Sequence, residues 1–206
     1  MLKLNAVSHS YGSQQVLKDL DLTLDPGQRL AVMGPSGSGK TTMLRIVLGL
    51  LKADSGTVEN TFRKTAAVFQ EPRLLPWRTA AENVNLILGD TPETLPKARQ
   101  HLAALGLEDA ADKYPRELSG GMQQRVAIAR ALAAEGDLLI LDEPFKAMDE
   151  DLRRQVMALV SQTEAAILMV THERDLVKQF QRRVIEIRNG SVISDSVSLE
   201  VPYAAE

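Results

Sequence analysis

The sequence predicts an α/β fold: a P-loop core with a mostly parallel sheet, an N-terminal antiparallel β-subdomain and an inserted helical subdomain. Three observations carry this. The wholly apolar runs at residues 30–33, 138–141 and 165–170 suit strands buried on both faces, as in a parallel sheet. Near the N-terminus apolar and polar residues alternate instead, which suits strands with one wet face. Between them, residues 79–88 and 96–105 repeat their apolar positions at helical spacing. The helical insert is expected over about residues 73–134, within one domain spanning residues 1–206.

Leu2 and Leu4, continued by Ala6, form the first predicted strand, and residues 8–14 the turn after it. Leu20, Leu22 and Leu24 alternate with Asp19, Asp21, Thr23 and Asp25 as a second, antiparallel-type strand. Asp25-Pro26-Gly27 is a tight turn into the apolar strand at 30–33. Then comes Gly34-Pro35-Ser36-Gly37-Ser38-Gly39-Lys40-Thr41, followed by Thr42 and a helical repeat of Met43, Leu44, Ile46, Val47 and Leu50. Every fixed position of G-x-x-x-x-G-K-[ST] is filled, between a strand and a helix as the motif requires.

The chemistry explains the residue types. Glycines let backbone N–H groups turn inward to form an anion nest without side chains in the way. The helix beginning near Gly39 aims its free N–H groups and positive dipole end at the same place. Lys40 adds a compact charge for the β- and γ-phosphates, and the Thr41 hydroxyl is an oxygen ligand for Mg²⁺. A nucleotide polyphosphate is the expected ligand.

Residues 53–60 read as a loop, and residues 65–69 as a strand ending at Gln70-Glu71-Pro72, where Gln70 is placed to reach a ligand at the strand mouth but taken alone reads as a plain loop glutamine. Leu95, Ala98, Leu102 and Leu105 make a helical stripe that Gly106 ends. Trp77, the only tryptophan, is either a core plug or an anchor for a partner. Leu118-Ser119-Gly120-Gly121-Met122-Gln123-Gln124-Arg125 precedes a helix with Val126, Ala129, Leu132 and Ala133 on one face. Ser119 is a suitable N-cap, and two glycines at a helix start leave a second set of bare amides for an anion. Taken alone, the same run is also just a well-capped helix. Similarly, Tyr11 is either a platform for a purine ring or a plain tyrosine on a sheet surface.

The apolar run at 138–141 ends in Asp142-Glu143-Pro144. Adjacent carboxylates at the C-terminal end of a buried strand lie where open α/β sheets bind ligands. There Asp142 can hold Mg²⁺ and Glu143 can deprotonate an attacking water. Residues 145–149 form a loop, and Asp149 caps a helix striped by Leu152, Val156, Leu159 and Val160. The strand at 165–170 ends in Thr171-His172-Glu173; a lone histidine at a strand end is usually structural, but this strand is expected beside the Asp-Glu strand, where His172 can donate to a γ-phosphate. Asn189-Gly190 marks a hairpin, and residues 201–206 are expected to fray.

Composition narrows the partners. A chain of 206 residues supports one sizeable core. Its formal charge of -3 favours no nucleic acid. The absence of cysteine excludes disulfides and thiolate metal sites. No leader peptide and no membrane span are expected, so a membrane would be reached through a partner.

Together GPSGSGKTT, Gln70, LSGGMQQR, LLILDEP, Asp149 and His172, in this order, resemble the ATP-binding subunit of an ABC transporter. The stretch EPRLLPWRTAAENV is further similar to ATPases of importers for nitrate, sulfonate, taurine and related solutes. The resemblance implies the cofactors ATP and Mg²⁺. It implies that Tyr11 stacks on adenine, that Gly34 to Thr42 wrap the phosphates, and that Gln70 and Asp142 help bind Mg²⁺ and position water. Glu143 becomes the general base and His172 the γ-phosphate contact. Ser119, Gly120, Gly121 and Met122 touch the ATP of a second copy, giving a head-to-tail dimer.

The implied partners are a transmembrane permease and, through it, a solute-binding protein. The implied place is the cytoplasmic face of the membrane, and the Gln70 segment would pass motion to the permease. Two alternatives to a transport motor use the same engine: a regulatory ATPase gating a membrane partner, and a subunit that binds ATP but hydrolyses it poorly. Three departures mark this chain. Met122 stands where the family usually has Gln. Lys146-Ala147-Met148-Asp149 stands where Ser-Ala-Leu-Asp is common, which bears on hydrolysis. The region 56–66 is short, which suggests a trimmed antiparallel subdomain, and the early C-terminus argues against an appended regulatory domain.

Overall fold

The computed structural model describes residues 1–145, 148–174, 176–177 and 183–196. The predicted loop residues Lys146 and Ala147 and the predicted frayed end at 201–206 lie outside them. The chain forms two units, Met1–Arg63 with Ala166–Glu206 and, between these, Lys64–Ala165.

The first unit holds two sheets. One is antiparallel, β2 (Gln14–Leu24), β1 (Leu2–Tyr11) and β4 (Ser55–Asn60) in that order. Leu2 and Leu4 face inward as predicted, but Ala6 does not. A bulge at Ala6, with φ 48, shifts the register and buries Val7 and His9 instead. Asp21 Oδ1 accepts the Ala6 amide at 2.8 Å and steadies the bulge.

The predicted turn at 8–14 shrinks to Gly12-Ser13, because Ser10 and Tyr11 continue the ladder opposite Gln15 and Gln14. The predicted loop at 53–60 is largely β4. Its side chains are exposed except for half-buried Val58, so nothing alternates to betray it. Its backbone pairs with β1 from Leu2↔Asn60 to Ser8↔Ser55.

The second sheet of this unit centres on β3 (Arg29–Met33). It lies between β7 (Ala166–Val170) and β8 (Arg183–Arg188), parallel to both, and β9 (Ser191–Ser196) pairs antiparallel to β8. Leu30, Ala31, Val32 and all of β7 are buried, as expected of strands covered on both faces. The β8–β9 hairpin turns at Asn189-Gly190, with φ 49 and 81, as predicted. Helix α1 (Lys40–Val47) follows β3 and stops short of the predicted Leu50. Gly49 adopts φ 68 and ends it, leaving Leu50 exposed.

The second unit pairs β5 (Thr65–Val68) in parallel with β6 (Leu138–Asp142), every residue of which is buried. Its helices are α2 (Ala80–Leu88), α3 (Leu95–Ala103), α4 (Gly120–Ala133) and α5 (Glu150–Ser161). The side chain of Thr79 accepts the Glu82 amide and Glu82 returns the bond, a capping box that fixes the start of α2. Ala98, Leu102 and Leu105 of the predicted stripe are buried. Helix α4 is buried on more than the one predicted face, with Gln124, Ala127, Ile128 and Ala131 covered as well. Trp77 is 70% exposed, which rules out the core-plug reading. Among the described residues no helix is long and apolar enough to cross a membrane.

Candidate functional site

In the first unit the end of β3 runs directly into the glycine loop. Gly34 has φ 149, and a Cβ there would sit 2.2 Å from the Ile187 carbonyl oxygen. Gly39 is the N-cap of α1 with φ 103, and a Cβ there would meet Leu17 Cδ2 at 2.7 Å and the Val16 oxygen at 2.8 Å. Only glycine fits either place. With glycine at the cap, α1 has no side chain bonded to its first amides and no acid in its first turn. Those amides and the helix dipole stay available to an anion.

Lys40 folds back over the loop and donates from Nζ to the Gly34 and Pro35 oxygens at 2.7 and 2.8 Å. Its ammonium is thereby held at the centre of the nest. Ser38 and Thr42 are buried under the loop, while Pro35, Ser36, Gly37 and Thr41 are exposed.

A cavity of about 390 Å³ opens beside this loop, lined by Gly34, Pro35, His172, Arg174, Glu186 and Arg188 among others. The structure thus brings His172, just past the end of β7, to the mouth of the glycine loop. Arg174 and Arg188 were not foreseen there. Arg188 Nε donates to Glu186 Oε1 at 2.8 Å. Tyr11, at the end of β1, is 46% exposed, so its ring has a face to offer. The ring of buried His9 lies edge-on to it at 4.9 Å and 86°.

The second unit carries the remaining predicted residues. Asp142 is the buried last residue of β6, and Glu143 follows it with φ 47. A left-handed conformation costs a glutamate on the order of 1 kcal/mol, a strain found most often where a side chain must be aimed. Gln70 lies exposed on the bend after β5.

At α4, Ser119 Oγ accepts the Met122 amide at 3.3 Å, so the predicted N-cap forms while Gly120 stays exposed and Gly121 half-buried. Gln123 Nε2 donates to the Pro115 and Leu118 oxygens at 2.9 and 3.2 Å, and Arg125 Nη1 to the Leu105 and Gly106 oxygens at 2.9 and 3.2 Å. Burial pulls the Arg125 guanidinium below its ordinary value, and the charge of Asp149 partly restores it. Asp149 Oδ1 accepts the Leu152 amide at 2.9 Å and caps α5 as predicted.

Sequence reasoning missed how α4 is held. Gln124 and Arg130 reach the oxygens of Phe69, Pro72 and Arg73, and these contacts join residues more than fifty positions apart. The one available signal was a run of amides and cations on a helix otherwise rich in alanine and aliphatics.

Known proteins carry the same pattern. The profile of the ABC transporter family matches residues 17–146. The Aliphatic sulfonates import ATP-binding protein SsuB of Mycobacterium sp. (strain MCS) is 42% identical over 98% of this chain and 85% of its own length. The Sulfate/thiosulfate import ATP-binding protein CysA of Halalkalibacterium halodurans is 38% identical over 90% of this chain, which spans 58% of that protein. A dimeric ATP-binding cassette solved in a post-hydrolysis state with ADP and Pi superposes with a TM-score of 0.88 at 32% identity, covering 98% of this chain and all of that one. With an uncapped helix behind a glycine loop, a buried strand ending in Asp-Glu and these relatives over nearly its whole length, the chain belongs to the ABC transporter family.

Proposed function

We propose that this chain is the ATP-hydrolysing subunit of an importer of a small solute, working at the cytoplasmic face of the membrane against a permease. The uncapped start of α1 supports this reading most directly, because it offers a triphosphate amides that no side chain caps, a dipole and Lys40 together. Tyr11 offers its exposed face to adenine, and residues 34–42 wrap the phosphates. Thr41, Gln70 and Asp142 supply hydroxyl, carboxamide and carboxylate oxygens, a hard donor set that fits Mg²⁺. Bound there, Mg²⁺ would neutralise charge on the β- and γ-phosphates.

Glu143 takes the proton of the attacking water, and His172 donates to the γ-phosphate. Ser119, Gly120, Gly121 and Met122 close on the ATP of a second copy, with Asp149 at the same junction. ATP then holds two copies together, and loss of the γ-phosphate releases them. The relatives named for sulfonate and sulfate import favour an importer over a regulatory ATPase.

Glu143→Gln tests the chemistry. Turnover should fall about 10²- to 10⁴-fold, the usual worth of a general base, while ATP still binds and a two-copy complex accumulates. Phosphate release and light scattering read both. A normal rate of hydrolysis removes Glu143 from its role.

A further inference from the structure

Residues two apart on a strand share a face, so His9 and Tyr11 are neighbours on β1. Their exposure differs sharply. His9 is 7% exposed, while Tyr11 at the rim keeps 46% of its surface open. The two rings meet edge to face, with centroids 4.9 Å apart. Such a contact favours one orientation, because the positive edge of one ring seeks the negative face of the other. Tyr11 is thus braced from within, and much of its surface is left for a guest.

The brace is itself anchored. Asp54 Oδ1 lies 3.2 Å from His9 Nδ1, and Asp54 Oδ2 accepts the Ser10 amide at 2.7 Å. The Asp54 amide donates to the Ser8 oxygen at 2.9 Å. One residue therefore holds Ser8, His9 and Ser10, the three positions before Tyr11. On the other edge of β1 the register slips between His9↔Leu17 and Ser10↔Gln15, which leaves a bulge at Val16. Val16 and Leu17 are the residues packed against Gly39 at the start of α1. Through His9 and β2, Tyr11 is tied to the frame that shapes the glycine loop.

Packing alone does not call for a histidine here. Asp54 stands within ion-pair range, but neither ring nitrogen makes a hydrogen bond to the described residues. A buried polar ring without hydrogen bonds costs stability that an aliphatic side chain would keep.

We propose that His9, anchored by Asp54, is a positioning residue that holds the Tyr11 ring in the orientation that receives a purine. The proposal rests on the reading of Tyr11 as the adenine platform. A ring already held loses little freedom when a base stacks on it. The brace therefore strengthens binding of the base and leaves the grip on the phosphates unchanged.

The test measures, by calorimetry on the full chain with Mg²⁺, the binding of ATP and of inorganic tripolyphosphate, which has no base. His9→Leu keeps bulk and removes the ring. ATP should bind about threefold more weakly, the worth of an aromatic pair, with tripolyphosphate affinity unchanged. Tyr11→Ala should weaken ATP about tenfold, the worth of one stacked base, again with tripolyphosphate unchanged. In the Tyr11→Ala background, His9→Leu should cost ATP nothing further, since the ring it orients is gone. Thermal unfolding checks that each variant is folded. Should His9→Leu fail to fold, Asp54→Ala at an exposed position frees the same ring, and should weaken ATP alone.

Three results overturn the brace alone: ATP affinity unchanged in His9→Leu, an equal loss for both probes, or a loss that persists without Tyr11. The same results in Asp54→Ala do so where it stands in. ATP affinity unchanged in Tyr11→Ala overturns the adenine platform, and the brace with it.

Discussion

Helices α1 and α4 both start at glycines, yet they are built differently. At α1 the cap is Gly39 itself, left-handed and without a side chain to bond the first turn. At α4 the cap is Ser119, whose hydroxyl already accepts the Met122 amide. The first is an open receptor whose shape is set by backbone packing against Ile187, Val16 and Leu17. The second satisfies part of its own need, and its shape is set by side chains reaching out to loop carbonyls. A helix end that must hold a polyphosphate alone is left uncapped. On the function proposed above, one that only completes a site held by another copy keeps a stable resting state.

Four substitutions probe this contrast. Gly34→Ala should have the largest effect, because its Cβ would lie 2.2 Å from a backbone oxygen at φ 149. Loss of ATP binding beyond about 100-fold and destabilisation of more than about 2 kcal/mol are expected, read by calorimetry and thermal unfolding. Lys40→Ala removes the charge from the nest but leaves the loop's glycines. ATP affinity should weaken about 10- to 100-fold, the worth of a charged hydrogen bond or two, with little change in melting temperature. An unchanged affinity would contradict the assignment of this loop.

Ser119→Ala should cost about 1 kcal/mol of stability, as N-caps do, and leave ATP binding to the single copy intact. It should lower the yield of the ATP-held pair, which distinguishes α4 from a merely capped helix. Thr79→Ala in α2 calibrates the series. Its capping box serves no ligand, so about 1 kcal/mol should be lost with turnover per folded molecule unchanged.

The parts of the fold and site set by near neighbours were legible in the sequence. The glycine loop, the caps Ser119 and Asp149, the Asp-Glu strand end and the Asn-Gly hairpin each need only a few adjacent residues. Strand β4 was not legible, because its ladder to β1 uses backbone groups and its side chains are nearly all exposed. The bulge at Ala6 was hidden likewise, since what holds it is Asp21 on the neighbouring strand. The partners of Gln124 and Arg130 are carbonyls, which every residue has, so no pattern of side chains could have named them.

The pairing of β3 bears on how the chain is made. Its partners begin at Ile167 and Arg183, so roughly 140 residues must leave the ribosome before either edge is filled. At ~5–20 residues per second that is on the order of 10 s. Throughout this interval Leu30, Ala31, Val32 and Met33 form an apolar strand with both edges bare, an invitation to pair with another nascent chain. The segment Lys64–Ala165 emerges within the same interval and brings with it the β5–β6 pair. Truncation just before Ala166 therefore leaves β3 permanently without neighbours, and the fragment should aggregate during synthesis.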